Sequence, residues 1–186
     1  MQVDDILLQT REMMEKSLSF TENQLSKIRT GRASSSLVDT VRADYYGAIT
    51  PLSQMATIST PDARTLVIQP FDRTTLPNIE KAIQLADLGF NPQNDGNVIR
   101  ISVPPLTEER RKEFVKLSKK TAEDGKIVIR NIRRDNIEEF RKSEKSKDIT
   151  EDDLKYGEAE VQKITDEFTS DIDKLFAKKE KELLED

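Results

Sequence analysis

The amino-acid sequence predicts an α+β protein in which a small β/α/β domain is inserted into a three-helix bundle. Long stretches near both ends lack proline and repeat apolar residues at helical spacing. All seven prolines and four of the six glycines lie between residues 31 and 105, where apolar and polar residues alternate as in strands. The chain of 186 residues is 35% charged and 35% hydrophobic, and this balance favours long solvated helices over one large core.

The first predicted helix covers residues 4–29, which contain neither glycine nor proline. Its apolar residues fall on one stripe, formed by Leu7, Met14, Leu18, Leu25 and Ile28. Gly31 then ends the helix, and we expect it to adopt a positive φ angle.

The middle of the chain is predicted to form the small domain. Strands are expected in four places, at residues 41–45, 54–59, 64–69 and 98–103, with turns at 46–47, 60–62 and 94–97. A short helix is expected from Pro77 to Gly89, with its inward face formed by Ile79, Ala82, Ile83 and Ala86.

A second long helix is predicted after Pro104 and Pro105, from Thr107 to about Lys145. Residues 127–129 favour a strand locally, but the apolar side chains of this segment share one helical face. That face is formed by Phe114, Leu117, Thr121, Val128 and Ile132. We therefore predict an uninterrupted helix.

A third helix is predicted to begin at Thr150, which is spaced from Asp153 as in a capping box. Its inward face is formed by Val161, Ile164, Phe168, Ile172, Leu175 and Phe176. The three helices bury their apolar faces against one another, so residues 1–30 and 106–186 are expected to form the bundle and residues 31–105 the inserted domain. Hinges are expected where the chain crosses, at Thr30, Gly31 and Arg32 and again at Pro104 and Pro105.

Composition excludes several classes of function. The chain has no cysteine and no histidine, so disulfides, imidazole bases, Ser-His-Asp triads and Cys/His zinc sites are impossible. Standard glycine-rich phosphate loops are absent from the sequence. Residues 91–96 resemble a hairpin turn more than a calcium loop, because position twelve would be Ser102 rather than glutamate. We expect no catalytic residue, no metal and no cofactor.

Location is predicted from the same composition. No apolar run reaches the roughly 18 residues of a membrane span, and the first residues are acidic rather than basic. We expect a cytoplasmic, monomeric protein that does not bind membranes or DNA.

Charge is distributed unevenly along a chain whose net charge is −5. Residues 107–134 carry ten basic and five acidic side chains, whereas residues 148–186 carry six basic and fourteen acidic ones. At 100° per residue, many cations of the second helix share one face, which we call the basic stripe. It is formed by Lys112, Lys116, Lys119, Arg130, Arg133, Arg134 and Arg141. We expect it opposite the apolar face.

A basic helix face is often only a solvated surface, but the bunching of Arg130, Arg133 and Arg134 favours an RNA partner. Guanidinium groups offer a planar fork of donors that matches phosphate oxygens. The few aromatic residues are not interleaved with the basic stripe, so folded RNA is favoured over stacked single strands.

Several stretches resemble the bacterial ribosome recycling factor family, in order and over essentially the whole chain. The longest are residues 26–34 (SKIRTGRAS), 104–112 (PPLTEERRK) and 128–135 (VIRNIRRD). Shorter matches lie at residues 45–47, 71–73, 80–83, 87–89 and 91–92.

The resemblance implies an L-shaped molecule whose bundle binds the rRNA of the large ribosomal subunit after termination. Elongation factor G, hydrolysing GTP, then drives the subunits apart, and mRNA and tRNA are released. The family's rRNA-contacting arginines correspond to Arg111, Arg130 and Arg133, with Arg134 beside them in the same motif. Arg29 and Arg32 are further candidates for rRNA contact, although they could equally cap carbonyl groups at a helix end.

Two other hypotheses remain open from the residues alone. One is a magnesium-dependent enzyme that acts on nucleotides or RNA, which the absence of clustered carboxylates in the small domain disfavours. The other is a structural helical adaptor, which would explain the bundle but not the bunched arginines.

Overall fold

The protein folds into two compact units, and the computed structural model describes residues 3–185 of them. One unit contains the chain up to Ile28 and from Glu108 onward, and the other is Arg29–Thr107. In chain order the helices and strands are α1 (Val3–Ser26), β1 (Arg42–Tyr45), β2 (Ala48–Pro51), α2 (Leu52–Met55), β3 (Ala56–Asp62), β4 (Thr65–Pro70), α3 (Leu76–Leu85), β5 (Pro92–Asn94), β6 (Ile99–Ser102), α4 (Glu108–Lys145) and α5 (Glu151–Leu184). The predicted α+β class is confirmed.

The first unit is a bundle of α1, α4 and α5. Ile6, Phe140 and Val161 form one buried cluster, which places the start of α1 beside the end of α4 and the start of α5. Helix α1 therefore runs parallel to α5 and antiparallel to α4. A second cluster, around Met14, Ile129 and Phe168, continues the core along the bundle.

Small residues set the closest contacts between the helices. A Cβ atom added to Gly125 of α4 would lie 2.5 Å from Oγ1 of Thr21 on α1, and one added to Gly157 of α5 would lie 2.5 Å from Cε1 of Phe140 on α4. The helix axes can approach this closely only because both positions lack a side chain.

The buried face of α4 differs from the predicted one. Its buried residues are Ser118, Ala122, Gly125, Ile129, Ile132, Asn136, Phe140 and Ser143. Leu117 and Val128, both expected inward, are each 45% exposed. The prediction assigned the inward face from the large apolar side chains. In the structure small residues pack inward, so α4 is rotated about its axis relative to the predicted orientation.

The predicted start of α5 at Thr150 is confirmed, whereas α1 ends at Ser26, before the predicted end at residue 29. Thr150 Oγ1 accepts a hydrogen bond from the Asp153 backbone N–H at 3.1 Å, and the Asp153 carboxylate accepts one from the Thr150 N–H at 2.9 Å. The Asp153 carboxylate accepts bonds from the Thr150 backbone N–H, chiefly, and from the Thr150 hydroxyl group, and these two bonds hold the pKa of Asp153 below its usual value. Helix α4 continues through residues 127–129 without a break.

The second unit is an antiparallel β structure with α3 packed on it. Strands β1 and β2 form a hairpin, and the other four form a sheet in the order β3-β4-β6-β5. Leu76, Ile79 and Ile83 of α3 are buried in one core with the inward residues of the sheet, such as Ile68 and Ile101.

Several local predictions in this unit need correction. Strand β2 was missed, and α3 ends at Leu85 rather than at Gly89, with Ala86 exposed instead of inward. Strand β5 was missed, because Pro92-Gln93-Asn94 shows no alternation of apolar and polar residues. It is an edge strand that pairs only with β6, a position in which proline is tolerated. A single helical turn, α2, replaces the start of the strand expected at residue 54. Strand β3 extends to Asp62, past the turn expected at 60–62, and bends there through an irregular register.

The lengths and compositions of the helices test the expectation that no segment spans a membrane. Within residues 3–185, no helix combines the length and the apolar composition required to cross a bilayer.

We predict that Gly157→Ala lowers the free energy of unfolding by about 1–3 kcal/mol, although alanine is the better helix former. The added methyl group would collide with the buried ring of Phe140. Urea unfolding followed by circular dichroism measures the change. In a Phe140→Leu background, Gly157→Ala should lower the free energy of unfolding by less than it does in the parent, because the ring that it collides with has been removed. A Gly157→Ala protein as stable as the parent would contradict the packing described.

Candidate RNA-binding surface

The C-terminal half of the basic stripe lies on the flank of α4 that borders α5. Arg133 Nη1 donates to Gln162 Oε1 at 3.3 Å, and Arg141 Nε donates to Glu158 Oε1 at 2.8 Å. The expectation that the stripe lies opposite the core is therefore wrong for this half. Because small residues of α4 face the core, the arginines are rotated toward the neighbouring helix.

Three arginines share one shallow depression of about 350 Å³ on this flank. It is lined by Arg133, Arg134, Ile137, Glu138, Arg141 and Gln162. An open, cationic depression of this kind suits an extended anion such as a nucleic-acid backbone, whose phosphates several guanidinium groups can contact at once.

Arg133 is positioned by a short chain of side chains on α5. Gln162 accepts its hydrogen bond and in turn donates from Nε2 to Asp166 Oδ1 at 2.8 Å. A guanidinium group has five N–H donors, so one bond to Gln162 leaves most of them for a ligand. The half-buried Arg133 is thus held in place and still able to bind an anion.

The other predicted residues of α4 lie outside this depression. Arg130 is exposed and makes no ion pair or hydrogen bond within the described chain. Arg111 is half-buried near the start of the helix. At 1.5 Å per residue the two are about 28 Å apart along the axis, so a partner contacting both must be large.

Lys126 fixes the position of the arginine flank relative to α5. Its ammonium group forms an ion pair with the Asp173 carboxylate, and its side chain is 15% exposed. The hydrogen bond to Asp173 is the main cause that raises the pKa of Lys126 above its ordinary value of 10.5.

The remaining candidates, Arg29 and Arg32, belong to the second unit. Arg29 Nη2 donates to the Leu88 carbonyl oxygen at 2.9 Å, and its guanidinium lies 4.9 Å from the centroid of the Phe90 ring. Leu88 follows α3, so the carbonyl group that Arg29 binds is not at the end of α1. The structure thus gives Arg29 an internal contact that neither sequence-based alternative included.

The predicted hinge residues also lie in the second unit. Gly31 has a φ of +80°, as expected, and a Cβ atom placed on it would lie 3.1 Å from Leu106 Cγ. The outgoing and returning segments are therefore in close contact at this point. Arg29, Gly31, Arg32, Pro104 and Pro105 all border a small cavity of about 90 Å³ there, whereas Thr30 does not.

Sequence reasoning missed two contributors to the surface. Gln162 lies on the acidic third helix, where nothing in the local sequence distinguishes it from a solvated side chain. Arg141 was in the basic stripe but was not singled out, because six residues separate it from the cluster at 130–134. Among the described residues, no three acidic side chains are grouped so as to hold a metal ion.

Comparison with known proteins identifies the family. A family model described as ribosome recycling factor matches residues 21–184. The chain is 55% identical over 183 residues to the ribosome-recycling factor of Oleidesulfovibrio alaskensis, covering 98% of this chain and 100% of that one. The chain belongs to the ribosome recycling factor family.

Other relatives agree along the whole length. The ribosome-recycling factor of Bacillus subtilis is 52% identical over 181 residues, with 97% of this chain and 98% of the relative covered. A solution structure of a ribosome recycling factor superposes with a TM-score of 0.79 at 40% identity, covering 99% of this chain and 98% of that one.

One further neighbour is informative about context. It is the T. thermophilus ribosome recycling factor, bound together with E. coli elongation factor G to the E. coli post-termination complex. It superposes with a TM-score of 0.68 at 47% identity, with 99% and 100% of the two chains covered. Family membership was therefore predicted correctly from the motifs at residues 26–34, 104–112 and 128–135.

We predict that Asp173→Asn lowers the pKa of Lys126, because the main interaction that raises it is removed. Detection of the lysine Cε resonances during a pH titration measures this shift. Lys163, whose pKa is raised chiefly by a hydrogen bond to Glu160 on its own helix, is an internal reference that should not move. Since the folded pKa of Lys126 is raised, the stabilisation is present below pH 10.5 and is lost as the pH rises through the folded value. At pH 7 the variant should lose about 0.5 kcal/mol. An unchanged Lys126 titration would show that the ion pair is not formed in solution.

Proposed function

We propose that this protein is a translation factor that binds the large ribosomal subunit after termination and separates the ribosome into subunits. In this proposal it acts together with elongation factor G and GTP, so that mRNA and tRNA are released for a new round of translation. The observation that carries the proposal is the arginine cluster at the α4–α5 flank in a chain of this family. The neighbour on the post-termination complex supports the choice of partners.

The rRNA contact is proposed to involve Arg111, Arg130, Arg133 and Arg134 of α4, with Arg29 and Arg32 as further contacts. Arg133 and Arg134 line one depression, and Arg130 lies on the same exposed flank. Phosphate contacts supply most of the affinity of such interfaces and make it dependent on salt. The separation of Arg111 from Arg130 suits an extended RNA surface better than a small anion.

The uneven distribution of charge would orient the protein on RNA as well as attract it. Helix α5 carries most of the acidic surplus of the chain, and RNA repels an acidic surface. The arginine flank of α4 is therefore the side of the bundle that RNA attracts.

In this proposal the protein performs no bond-breaking step itself, and GTP hydrolysis belongs to elongation factor G. The sequence provides no phosphate-binding loop and no histidine or cysteine for catalysis. We place its activity in the cytoplasm, where ribosomes are recycled, and we propose that it acts as a monomer.

The second unit is proposed to move relative to the bundle about Thr30, Gly31, Arg32, Pro104 and Pro105. Only two chain segments join the units. Rotation about these two segments requires less energy than bending either packed unit. A force applied to the second unit would then act on the bundle as a lever.

We predict that Arg133→Ala weakens binding to isolated large subunits without unfolding the bundle. The loss of one guanidinium contact should cost about 1–3 kcal/mol, which is about 5- to 150-fold in affinity. Sedimentation of subunits with labelled protein measures the change. Lys174→Ala is the matched control, because it removes an equal charge from an exposed lysine of α5. Equal affinities of Arg133→Ala and the parent, both folded, would refute the assignment of Arg133.

We predict that a disulfide between Gly31→Cys and Leu106→Cys, which ties the outgoing segment of the joint to the returning one, leaves subunit binding nearly intact and slows ribosome splitting. A Cβ atom at position 31 would lie 3.6 Å from Leu106 Cβ, within the range of about 3.5–4.5 Å that disulfides require. Light scattering of post-termination ribosomes with elongation factor G and GTP measures splitting.

The chain has no natural cysteine, so the introduced pair is the only possible bridge. Comparing oxidised and reduced forms of the same variant removes the effect of the substitutions themselves. Equal splitting by both forms would mean that independent motion of the outgoing and returning segments is not required.

A further inference from the structure

A concave pocket of about 300 Å³ lies between α1 and α4, on the flank of α4 that borders α1 rather than α5. Its lining residues recur every three or four positions on each helix, so each set forms one helical face. They are Ser17, Phe20, Thr21 and Gln24 of α1 and Thr121, Asp124, Gly125 and Val128 of α4. The contact of Gly125 with Thr21 forms the buried floor, and longer side chains form the walls. We call this concavity the α1–α4 pocket.

The walls of the α1–α4 pocket leave large apolar side chains in contact with water. Phe20 is 65% exposed and Val128 is 45% exposed. The two described core clusters of the bundle contain neither of them. One turn before the pocket residues of each helix, Met13 and Leu117 are also exposed. Exposed apolar side chains around a concavity are typical of ligand-binding sites.

Three polar groups of the pocket are restricted to accepting hydrogen bonds. The Thr21 hydroxyl group already donates to the Ser17 carbonyl oxygen at 3.0 Å, and that of Thr121 donates to the Leu117 carbonyl oxygen at 2.9 Å. A hydroxyl group has one hydrogen, so both oxygens can only accept a bond from a ligand. The ionised carboxylate of Asp124 is likewise only an acceptor. These groups therefore select a ligand that donates.

Asp124 is the charged residue of the lining, and its own ion pair is weak. The Lys120 ammonium group is 4.0 Å from the Asp124 carboxylate, and both side chains are mostly exposed. A pair of this kind contributes little, so the carboxylate remains able to bind another cation. The other polar side chains, Ser17 and Gln24, can donate or accept. The pocket thus combines a negative charge and hydrogen-bond acceptors with apolar walls.

We propose that the α1–α4 pocket binds a small aromatic amine in its protonated form. Asp124 and Thr121, one turn apart on α4, would accept hydrogen bonds from the ammonium group, and the ring would lie between Phe20 and Val128. The volume is at the lower end of the range for small-molecule sites, so a ligand of one or two rings fits it. Anions are disfavoured, because Asp124 would repel them. This site is separate from the arginine flank and does not depend on the proposed function.

The test uses three indoles that differ mainly in the charge of their side chain. At neutral pH tryptamine is a cation, tryptophol is neutral and indole-3-acetate is an anion. Each is titrated into isotope-labelled full-length protein, and the amide chemical shifts are followed by NMR. We expect tryptamine to bind with a Kd of about 1 mM or tighter, at least roughly threefold tighter than tryptophol. Indole-3-acetate should bind more weakly than either, and the shifts should be centred on the lining residues.

Variants assign the binding to individual side chains. Asp124→Asn should remove the preference for the amine, so that tryptamine and tryptophol bind about equally. Asp135→Asn is the matched control, because it removes the same charge from an exposed aspartate of α4 about 16 Å farther along the helix axis. Phe20→Ser should weaken the binding of all three indoles. Since the Phe20 ring is exposed, this variant should unfold at nearly the same temperature as the parent.

Three results would overturn the proposal. The first is that tryptamine shows no saturable binding up to about 10 mM, or binds no better than the other two indoles. The second is that Asp124→Asn and Asp135→Asn weaken tryptamine binding equally, because the effect would then be one of net charge. The third concerns the dipeptide N-acetyl-phenylalanyl-lysine amide, which offers a ring and an ammonium group as a protein segment would. If it binds roughly tenfold more tightly than tryptamine, the occupant is a partner protein rather than a small molecule.

Discussion

The contact of Gly125 with Thr21 and of Gly157 with Phe140 fixes how α4 is rotated within the bundle. A side chain at either glycine would push the helices apart, and the surrounding core would then have to repack. Because the small residues of α4 face inward, Arg133 and Arg141 lie beside α5 and bond to it, while Arg130 remains exposed to solvent. The candidate binding surface is thus a consequence of core packing, and Ile137, which lines it, packs against the buried cluster around Phe140.

Opposite charge along the α4–α5 contact gives a second reason for this arrangement. Lys126 pairs with Asp173, and Arg141 pairs with Glu158. Some of the acidic side chains of α5 therefore form ion pairs with cations of α4 and hold them in position. A net charge of −5 is compatible with a surface that attracts RNA, because the positive charges are concentrated on one flank.

Sequence patterns predicted those features that depend on neighbouring residues. The cap at Thr150, the positive φ of Gly31 and the unbroken course of α4 all follow from local chemistry. The rotation of α4 could not be predicted, since it depends on which small residue meets which partner from another helix. For the same reason, the contact of Arg29 with Leu88 was not visible: 59 residues separate the two in sequence.

The order of the helices has a consequence for how the protein is made. Helix α1 ends at Ser26 and its partner α4 begins only at Glu108, so roughly eighty residues are synthesised between them. During that interval the apolar face of α1 has nothing to pack against, whereas the inserted unit already has all of its own core. Helices α4 and α5 are joined by a short turn and can pair as soon as both have emerged. During synthesis the inserted unit therefore acts as a folded spacer, and the bundle closes last, when α5 has left the exit tunnel.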